Sequence, residues 1–572
     1  MAGIDHTRRA NSRGYSPAVK QRWGAIHVVS LVVVLAVLVF VCRGQWFFGD
    51  EWDFLLLRGL RHSQYGLLRP HNEHWSTIPI LWYRAVFSVV GVKTYWPYLF
   101  GLFAVHLVVV HSGWRIMRRV GVHPAVAAGA ALVMGLFGAG SENLTWAFQV
   151  GFVGSLAAGM VLMLAVDDEG KRSRVGLVAA GAVAALMFSG ISVVMVGAVG
   201  LTAFAHWGWR RALAVVAPAG VAYVAWLKLY GSVGLHGGNA QYHGGLKDVP
   251  RYVWGGLSDT LGEPLHSRRV GEALLVVLIV VVVARGWRWW REAPDVLALA
   301  AAAPVMFAVI SQGRGALQDP SASRYLYLCA GMLVPLIGYA VHTAVVKRPA
   351  AIAVALVGCL AVTASGAGQL RDHARFERTR ELALKGQILA AVQVERGEPI
   401  VTDLPDYTYS PELRVDGLRR LDAKHRLPPL LFDARDLAAA RLALQVVVLH
   451  AGEPGFGGQP LAGAHADVPA GATLRPVGNS CDEVDLGTAT LVVRTEPNGA
   501  NGTNPPARFT VRPSSADVIE AFVPAPAGTV GPHRFPVAAN ETVEVHQAVA
   551  GVAEYHLPTG PNLVCGLAWN AP

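Results

Sequence analysis

Charged residues are scarce in this sequence. Only 15% of its 572 residues are Asp, Glu, Lys or Arg, against roughly 25% in an ordinary soluble domain. Hydrophobic residues make up 53%, and the mean hydropathy is +0.38. This composition excludes a soluble, disordered or fibrous protein. Apolar runs recur from residue 26 to about residue 368, each close to the ~20 residues that cross a bilayer, so the sequence predicts a polytopic α-helical membrane protein.

Motifs of the common enzyme chemistries are also lacking. The sequence contains no Walker A segment, no GxGxxG after a strand, no HExxH and no nucleophile elbow. No signal-peptide cleavage site follows the apolar run at 26–41, and the bulky residues before Cys42 do not fit a lipid-attachment signal. We therefore expect a retained first helix, preceded by a basic cytoplasmic segment at residues 1–25.

The net charge of +10 does not indicate a nucleic-acid partner. Lys and Arg form short clusters between apolar runs, where they orient helices toward the cytoplasm. With those clusters inside, the sequence predicts about eleven crossings of the plasma membrane, an N-terminus in the cytoplasm and a C-terminus outside. The crossings are expected at 26–43, 96–115, 124–140, 149–166, 175–189, 191–206, 212–230, 270–285, 295–311, 324–343 and 349–368. The two passes within 175–206 require a turn at Ser189-Gly190, because one long helix there would invert the later topology.

The composition changes after Arg371, where charge, Pro and Gly become more frequent. A transmembrane domain at 26–368, with its first external loop at 44–77, is therefore followed by extracytoplasmic parts. Residues 369–464 are expected to be mixed α/β, with a helix at 371–398 and strands at 399–404 and 442–449. Residues 465–572 read as a β-sandwich, with strands at 489–495, 508–512, 518–523 and 542–549.

Cysteine is rare, with five residues. Cys42, Cys329 and Cys359 fall in or at the ends of predicted helices, whereas Cys481 and Cys565 bracket the β-rich segment. A structural disulfide between the latter two is favoured over a metal or redox site, because they have no CxxC spacing; free thiols are the other alternative. A disulfide would agree with an extracytoplasmic location.

The first external loop is rich in acids and imidazoles. Gly49-Asp50-Glu51-Trp52-Asp53 follows the first helix directly. A carboxylate at the membrane boundary beside aromatic rings can gain basicity by desolvation and accept a proton from a hydroxyl group. The alternative is a solvated loop with an interfacial aromatic belt, formed by Trp46, Phe47, Phe48 and Trp52.

A second cluster in this loop contains His71, Glu73 and His74. These side chains suit polar contacts with a substrate or packing of the loop. They would bind a divalent metal only with a further ligand such as Asp50 or Asp53, so a metal cofactor stays open.

Two further polar segments lie at predicted external ends of helices. In 141–149, Glu142, Asn143 and Gln149 can meet sugar hydroxyls while Trp146 stacks on a sugar face; an ordinary capped turn is the alternative. In 312–325, Arg314, Arg324 and Tyr325 can meet a lipid phosphate, with snorkelling to lipid headgroups as the alternative. The external loop 231–269 adds glycines and cations on the same side.

The order of these features resembles the membrane glycosyltransferases of the GT-C fold. An acidic pair after the first helix, then a loop and a short amphipathic segment at 78–90 before the second crossing, is similar to bacterial relatives of the protein mannosyltransferases and aminoarabinose transferases. Several such enzymes end in an extracytoplasmic β-rich domain. The Ala-, Gly- and Val-rich composition is similar to that of actinobacterial proteins.

The resemblance implies a reaction and roles. A sugar would move from a polyprenyl-phosphate carrier to a hydroxyl of an envelope glycan, lipid or protein on the outer membrane face, with inversion. Asp50 would be the general base, with Glu51 its neighbour and the less favoured base. Arg324, and with it Arg314, would stabilise the departing phosphate. The competing functions are a transporter or flippase for a lipid-linked glycan and a non-catalytic surface-assembly protein; a membrane acyltransferase that uses His71 or His74 is a third.

Overall fold

The structure, a computed structural model, describes residues 17–59, 66–166, 171–231, 245–314, 319–406, 408–457, 464–478, 480–495, 507–526, 528–549 and 551–570. The chain divides into two compact units. The first comprises Met1–Gly44, Arg58–Val86 and Tyr95–Arg378, and the second comprises Gln45–Leu57, Phe87–Thr94 and Thr379–Pro572. The acidic start of the first loop therefore belongs to the same unit as the C-terminal part of the chain.

Fourteen helices precede residue 398 in the described part of the chain. They are α1 (Pro17–Val41), α2 (Thr77–Val90), α3 (Trp96–Arg119), α4 (Pro124–Gly135), α5 (Glu142–Thr145), α6 (Val150–Ala165), α7 (Arg172–Ala185), α8 (Ile191–Trp207), α9 (Trp209–Trp226), α10 (Val249–Gly262), α11 (Arg268–Glu292), α12 (Pro294–Arg314), α13 (Ser323–Val345) and α14 (Pro349–Gly397). Short 3₁₀ or π turns at Asp53–Leu57, Gly138–Gly140, Ala147–Gln149, Leu227–Gly231, Leu246–Asp248 and Glu263–Leu265 complete this part.

Within the described residues, eight helices are long and apolar enough to cross a membrane: α1, α3, α6 with its preceding turn, α9, α11, α12, α13 and α14. The protein is therefore a multi-pass membrane protein. The other predicted crossings correspond to α4, α7 and α8, which have 12, 14 and 17 residues and fall short of the ~20 residues of a full span. The predicted break near Ser189 is present, since α7 and α8 are separate helices.

Helix α14 differs from the sequence-based expectation. The sequence predicts a crossing that ends at 368 and a second helix from 371, but the structure has one helix of 49 residues. At 1.5 Å per residue its length is about 73 Å. From Arg371 onward the helix carries charged residues, so this part suits water and not lipid. No proline interrupts the helix between Ala350 and Gly397, so its backbone hydrogen bonds continue.

Helix α10 was not predicted, because its region reads as a flexible loop. It packs against α11, α12 and α13. Gly256 allows this contact, since a Cβ there would overlap the Phe307 ring of α12. Residues 232–244 of the same predicted loop lie outside the described residues, as do residues 1–16 of the basic N-terminal segment.

The second unit contains two helices and twelve described strands. The helices are α15 (Val415–Ala423) and α16 (Ala434–Gln445), and the strands are β1 (Val446–Leu449), β2 (Ala464–Asp467), β3 (Thr473–Pro476), β4 (Cys481–Asp485), β5 (Leu491–Thr495), β6 (Ala507–Pro513), β7 (Asp517–Ala525), β8 (Gly528–Val537), β9 (Val543–Gln547), β10 (Gly551–His556), β11 (Asn562–Cys565) and β12 (Ala568–Asn570).

These strands form two six-stranded sheets, in the orders β1-β9-β6-β11-β4-β3 and β12-β2-β5-β10-β7-β8. Both sheets contribute to one hydrophobic core, in which Phe509 of the first sheet contacts Tyr555 of the second with ring centroids 5.5 Å apart. The expected C-terminal β-sandwich is therefore confirmed. Alternation of buried and exposed residues along β6 and β7 explains why these strands could be read from the sequence.

Two local expectations in the mixed segment are wrong. Residues 399–404 form no strand, although the backbone N–H groups of Val401 and Thr402 both donate to the Leu444 carbonyl. The segment 442–449 is divided between α16 and β1, because the helix continues to Gln445. Strand β1 pairs with β9, so the sandwich begins about twenty residues before the predicted boundary at 465.

A disulfide joins Cys481 and Cys565, the pair expected from the sequence. The two residues lie opposite each other on the antiparallel neighbours β4 and β11. Cys42, Cys329 and Cys359 are not in disulfides. The bond therefore links strands that are 84 positions apart in sequence within one sheet.

Candidate functional site

The three acids after the first helix differ in exposure. Glu51 is fully buried at 0% exposure and Asp53 is 5% exposed, whereas Asp50 is partly exposed. One carboxylate oxygen of Glu51, Oε2, accepts the backbone N–H of Phe48 at 3.1 Å. Of these three carboxylates, Asp50 is thus the one that solvent reaches and that can meet an incoming hydroxyl group.

The loop that carries Asp50 is held by hydrogen bonds to residues of the same unit that are distant in sequence. The N–H of Gly49, a residue with φ of +60°, donates to the Tyr409 carbonyl at 2.5 Å. The indole N–H of Trp52 donates to Ser410 Oγ at 3.2 Å. The N–H of Trp46 donates to Glu381 Oε2 at 2.8 Å. These contacts join positions more than 330 residues apart, so no local sequence signal could identify them.

Arg380 adds a cation–π contact to this arrangement. Its guanidinium carbon lies 4.6 Å from the Phe48 ring centroid and 4.7 Å from that of Tyr409. The Tyr409 segment is shaped in turn by Asp406, whose carboxylate accepts the N–H groups of Thr408 and Tyr409. Burial raises the pKa of Asp406, and these hydrogen bonds oppose the rise.

Three of the four aromatic residues expected in an interfacial belt are buried instead, whereas Phe48 is partly exposed. Trp46, Phe47 and Trp52 are buried at 3%, 0% and 0% exposure. Their rings contact one another, with centroids 5.7 Å apart for Trp46 and Trp52 and 5.9 Å apart for Phe47 and Trp52. They pack the base of the Asp50 loop and are covered by protein.

In the first unit, His71 and His74 close a tight turn. Each donates its backbone N–H to the carbonyl of the other, at 3.0 and 2.9 Å. Their rings contact Phe148 and Phe152 edge-on, and His74 Nδ1 accepts the N–H of Gly190 at 3.3 Å. Glu73 lies beside His74, with its Oε1 3.7 Å from Nε2. The turn is thus packed against the start of α6 and the turn before α8.

The buried Arg58 supports this turn from the preceding segment. Its guanidinium donates to the carbonyls of Arg69 at 2.8 Å and Pro70 at 3.1 Å. Within the part of the chain that the structure describes, no group of three or more His, Cys, Asp and Glu side chains has a geometry that could hold a metal ion.

Glu142 and Arg324 form an ion pair. Nη1 of Arg324 lies 3.2 Å from Oε2 and 3.4 Å from Oε1 of Glu142. The side chains are 20% and 30% exposed for Arg324 and Glu142 respectively. Ser323 reinforces the contact, since its Oγ accepts the N–H of Glu142 at 3.1 Å and lies 3.2 Å from Ser141 Oγ. The structure therefore joins the segments 141–149 and 312–325 through residues that are 182 positions apart in sequence.

The other predicted residues of 141–149 differ in access. Asn143 is 0% and Gln149 3% exposed, so neither is open to solvent. Trp146 is partly exposed and stacks on Phe148, with ring centroids 5.0 Å apart. Trp146 and Glu142 are accordingly the members of this segment that a ligand can reach directly.

A buried polar contact links α3 to α13, the helix that Arg324 begins. His106 Nδ1 is 2.7 Å from the Tyr327 hydroxyl, and His106 Nε2 is 3.1 Å from the Gly135 carbonyl oxygen. The Tyr95 hydroxyl accepts the N–H of Ala147 at 2.9 Å. Sequence reasoning missed these residues, because a single His or Tyr in an apolar run carries no spacing signal. The His106–Tyr327 contact joins α3 to α13, and the Tyr95 contact joins the residue before α3 to the 141–149 segment.

The other two predicted lipid-phosphate residues, Arg314 and Tyr325, differ in what the structure describes of them. The side chain of Arg314, the last residue of α12, lies outside the described residues. Tyr325 is 3% exposed and its ring centroid lies 5.3 Å from the Arg324 guanidinium carbon. A cavity of about 510 Å³ between α3 and α6 includes His111 and Arg115 in its lining, and none of the predicted site residues lines it.

Neither a family profile nor a curated protein sequence matches this chain. A crystal structure of ArnT from Cupriavidus metallidurans bound to undecaprenyl phosphate is similar at 15% identity, covering 66% of this chain and 81% of that chain, with a TM-score of 0.42. The archaeal oligosaccharyltransferase AglB from Archaeoglobus fulgidus, in complex with an inhibitory peptide and a dolichol-phosphate, is similar at 10% identity, covering 65% of this chain and 58% of that chain, with a TM-score of 0.40. Both TM-scores are low, and likenesses this distant do not define the fold or the reaction of this chain.

Proposed function

We propose that this protein is an extracytoplasmic glycosyltransferase of the GT-C type. It would transfer a sugar from a polyprenyl-phosphate carrier to a hydroxyl of an envelope glycan, lipid or protein. The observation that carries the proposal is the half-buried Arg324–Glu142 pair at the start of α13, an apolar helix long enough to span a membrane. A guanidinium at such a helix end suits an anion carried by a lipid, because the lipid tail can remain in the bilayer.

The proposed reaction is a direct displacement with inversion. Asp50 takes the proton from the acceptor hydroxyl, whose oxygen then forms a bond to the anomeric carbon of the donor sugar. The bond between that carbon and the phosphate oxygen breaks, and the electron pair leaves with the polyprenyl phosphate. Asp50 is favoured over Glu51 as the base because Asp50 is partly exposed, whereas Glu51 is buried and accepts a backbone hydrogen bond.

Arg324 stabilises the phosphate as its charge grows, with Tyr325 beside it and Arg314 as a further candidate. A phosphate oxygen that binds Arg324 competes with Glu142, so donor binding would release the Glu142 carboxylate toward sugar hydroxyls. Trp146 offers a ring face for the sugar. Asp53, His71, Glu73, His74, Asn143 and Gln149 stay as proposed substrate contacts or supports of the site.

The test is sugar transfer from a panel of radiolabelled polyprenyl-monophosphate sugars. Membranes would contain the wild-type chain, Asp50→Asn or the matched control Asp517→Asn, which changes an exposed acid on β7. Each reaction is run with and without a chelator, and loss of transfer with the chelator would show that the reaction needs a divalent metal. The proposal is supported if the wild type and the control transfer a sugar and Asp50→Asn does not.

Equal transfer by Asp50→Asn would remove the base assignment. No transfer from any donor by the wild type would overturn the enzyme proposal and favour a transporter of lipid-linked glycan or a surface-assembly protein.

A further inference from the structure

Helix α10 places a buried tyrosine close to the segment that begins α13. Tyr252 is 7% exposed, and its ring packs on Phe307 of α12 with centroids 6.3 Å apart. One turn further along α10, a Cβ built on Gly255 would lie 3.2 Å from Pro320 Cγ. Because Pro320 lies three residues before Ser323, the first residue of α13, and α10 also packs against α13, α10 lies alongside the chain that presents the Arg324 guanidinium.

The Tyr252 hydroxyl is buried and has no hydrogen-bond partner among the described residues. A buried hydroxyl without a partner has lost its hydrogen bonds to water and gained none in exchange, so most such groups in proteins are satisfied. Burial raises the pKa of Tyr252, the nearby Tyr325 and Asp319 raise it further, and Arg324 opposes the rise. The hydroxyl therefore stays protonated at neutral pH and is available as a donor.

A second buried group beside the ion pair has the same property. Both the oxygen and the nitrogen of the Asn143 side-chain amide are buried without a partner in the part of the chain that the structure describes. Asn143 follows Glu142 directly and is 0% exposed. A polar ligand bound beside the ion pair would satisfy such groups.

We propose that the Tyr252 hydroxyl and the Arg324 guanidinium bind the same phosphate group. The hydroxyl donates one hydrogen bond to a phosphate oxygen, and the guanidinium supplies the positive charge and further donors. Helix α10 is then one wall of the donor site. This inference rests on the proposed function, since it assigns a further residue to the phosphate that Arg324 is proposed to hold.

The experiment measures binding of undecaprenyl monophosphate to the purified full chain in nanodiscs, with undecaprenol and inorganic phosphate as separate probes. The variants are Tyr252→Phe, Arg324→Gln and the control Tyr339→Phe. Tyr339 lies further along α13, and its hydroxyl donates to Glu292 Oε2 at 3.3 Å. The melting temperature of each variant is recorded with and without the probe.

We expect Tyr252→Phe to bind undecaprenyl monophosphate about 10- to 100-fold more weakly than the wild type, because it lacks one hydrogen bond to a charged group. Without ligand, Tyr252→Phe should melt at the same or a higher temperature, since an unsatisfied buried hydroxyl has been removed. Tyr339→Phe should bind like the wild type. Binding of inorganic phosphate that also depends on Tyr252 would assign the contact to phosphate itself; dependence with the lipid alone would assign it to the lipid-linked donor.

Three results would contradict the Tyr252 assignment, and one of them would also contradict the proposed donor. If Arg324→Gln loses binding but Tyr252→Phe binds like the wild type, the Tyr252 assignment fails and the proposed function stands. If the wild type binds undecaprenyl monophosphate no better than undecaprenol, the proposed donor fails and this inference fails with it. If Tyr252→Phe melts lower or does not fold without ligand, the hydroxyl has a structural role and the inference is wrong.

Discussion

Asp50 and Glu51 are adjacent acids with opposite surroundings. Alanine at Glu51 removes a fully buried side chain that accepts the part-buried N–H of Phe48, so we expect a loss of about 1–3 kcal/mol in the free energy of unfolding. Alanine at Asp50 should cost less than about 1 kcal/mol, as at most partly exposed positions. Denaturant unfolding of both variants, compared with their transfer activity, separates the roles. A large loss of stability in Asp50→Ala would contradict the assignment of Asp50 as a base.

The acid stability of the second unit should depend on His533. This imidazole contacts the Phe535 ring, with centroids 4.2 Å apart, and burial lowers its pKa to about 4. The unfolded chain therefore binds a proton at higher pH, near 6.5, than the folded chain does. Stability should fall by about 1–3 kcal/mol as the pH drops from 7 toward 4, because only the unfolded state is protonated in that window.

The measurement is denaturant unfolding of the wild type and His533→Gln at several pH values in that range. His425→Gln, at an exposed position, is the control. The His533 variant should show the weaker pH dependence, and an unchanged slope would refute the assignment.

For individual site residues, the sequence indicates which charged side chains are unusual but not which residues they contact. Asp50, Glu142 and Arg324 stand out because charge is rare at the ends of apolar runs. The pairing of Glu142 with Arg324 spans 182 positions, and the burial of Glu51 depends on packing within the second unit. Neither follows from composition or spacing, since both depend on tertiary structure.

Among the elements, the link between β4 and β11 should carry much of the sandwich's stability. Replacing both Cys481 and Cys565 by Ser should lower the free energy of unfolding by about 2–5 kcal/mol, the usual cost of losing a native disulfide. The check is denaturant unfolding of the full chain in detergent, with Cys359→Ser as the control outside any disulfide. If the double variant unfolds like the control, the disulfide does not stabilise the sandwich.

The elements that could be predicted from the sequence are those with a regular pattern of hydrophobic residues. Long apolar helices and the alternating strands β6 and β7 belong to this group. Helix α10 was missed because it combines glycines, polar residues and only partial burial. The continuity of α14 does not follow from composition, because the rise in charge at Arg371 resembles a domain boundary although helix-forming residues continue across it.

For the whole molecule, the topology remains a prediction. We expect the loops with Lys171 and Arg210 in the cytoplasm and the second unit outside, because short basic loops stay inside. Alkaline phosphatase fused after residue 572 should be active, and a fluorescent protein fused there should be dark in a bacterial host. After Lys171, alkaline phosphatase should be inactive and the fluorescent protein should fluoresce. Reversed signals at both positions would place the proposed reaction on the cytoplasmic face and remove the need for a lipid-linked donor.

The strand order of the first sheet also sets the order in which the protein can be completed during synthesis. Strand β1 pairs with β9, about one hundred residues later, and β6 lies between β9 and β11. At the ~5–20 residues per second of translation, β1 waits on the order of ten seconds for its partner. A chain that stops before Asn562 lacks β11, the strand between β4 and β6, so β4 and β6 each lack one of their two native neighbours. The first sheet can therefore be completed only after the last tenth of the chain has been synthesised. Truncated copies would expose unpaired strand edges, which promote aggregation.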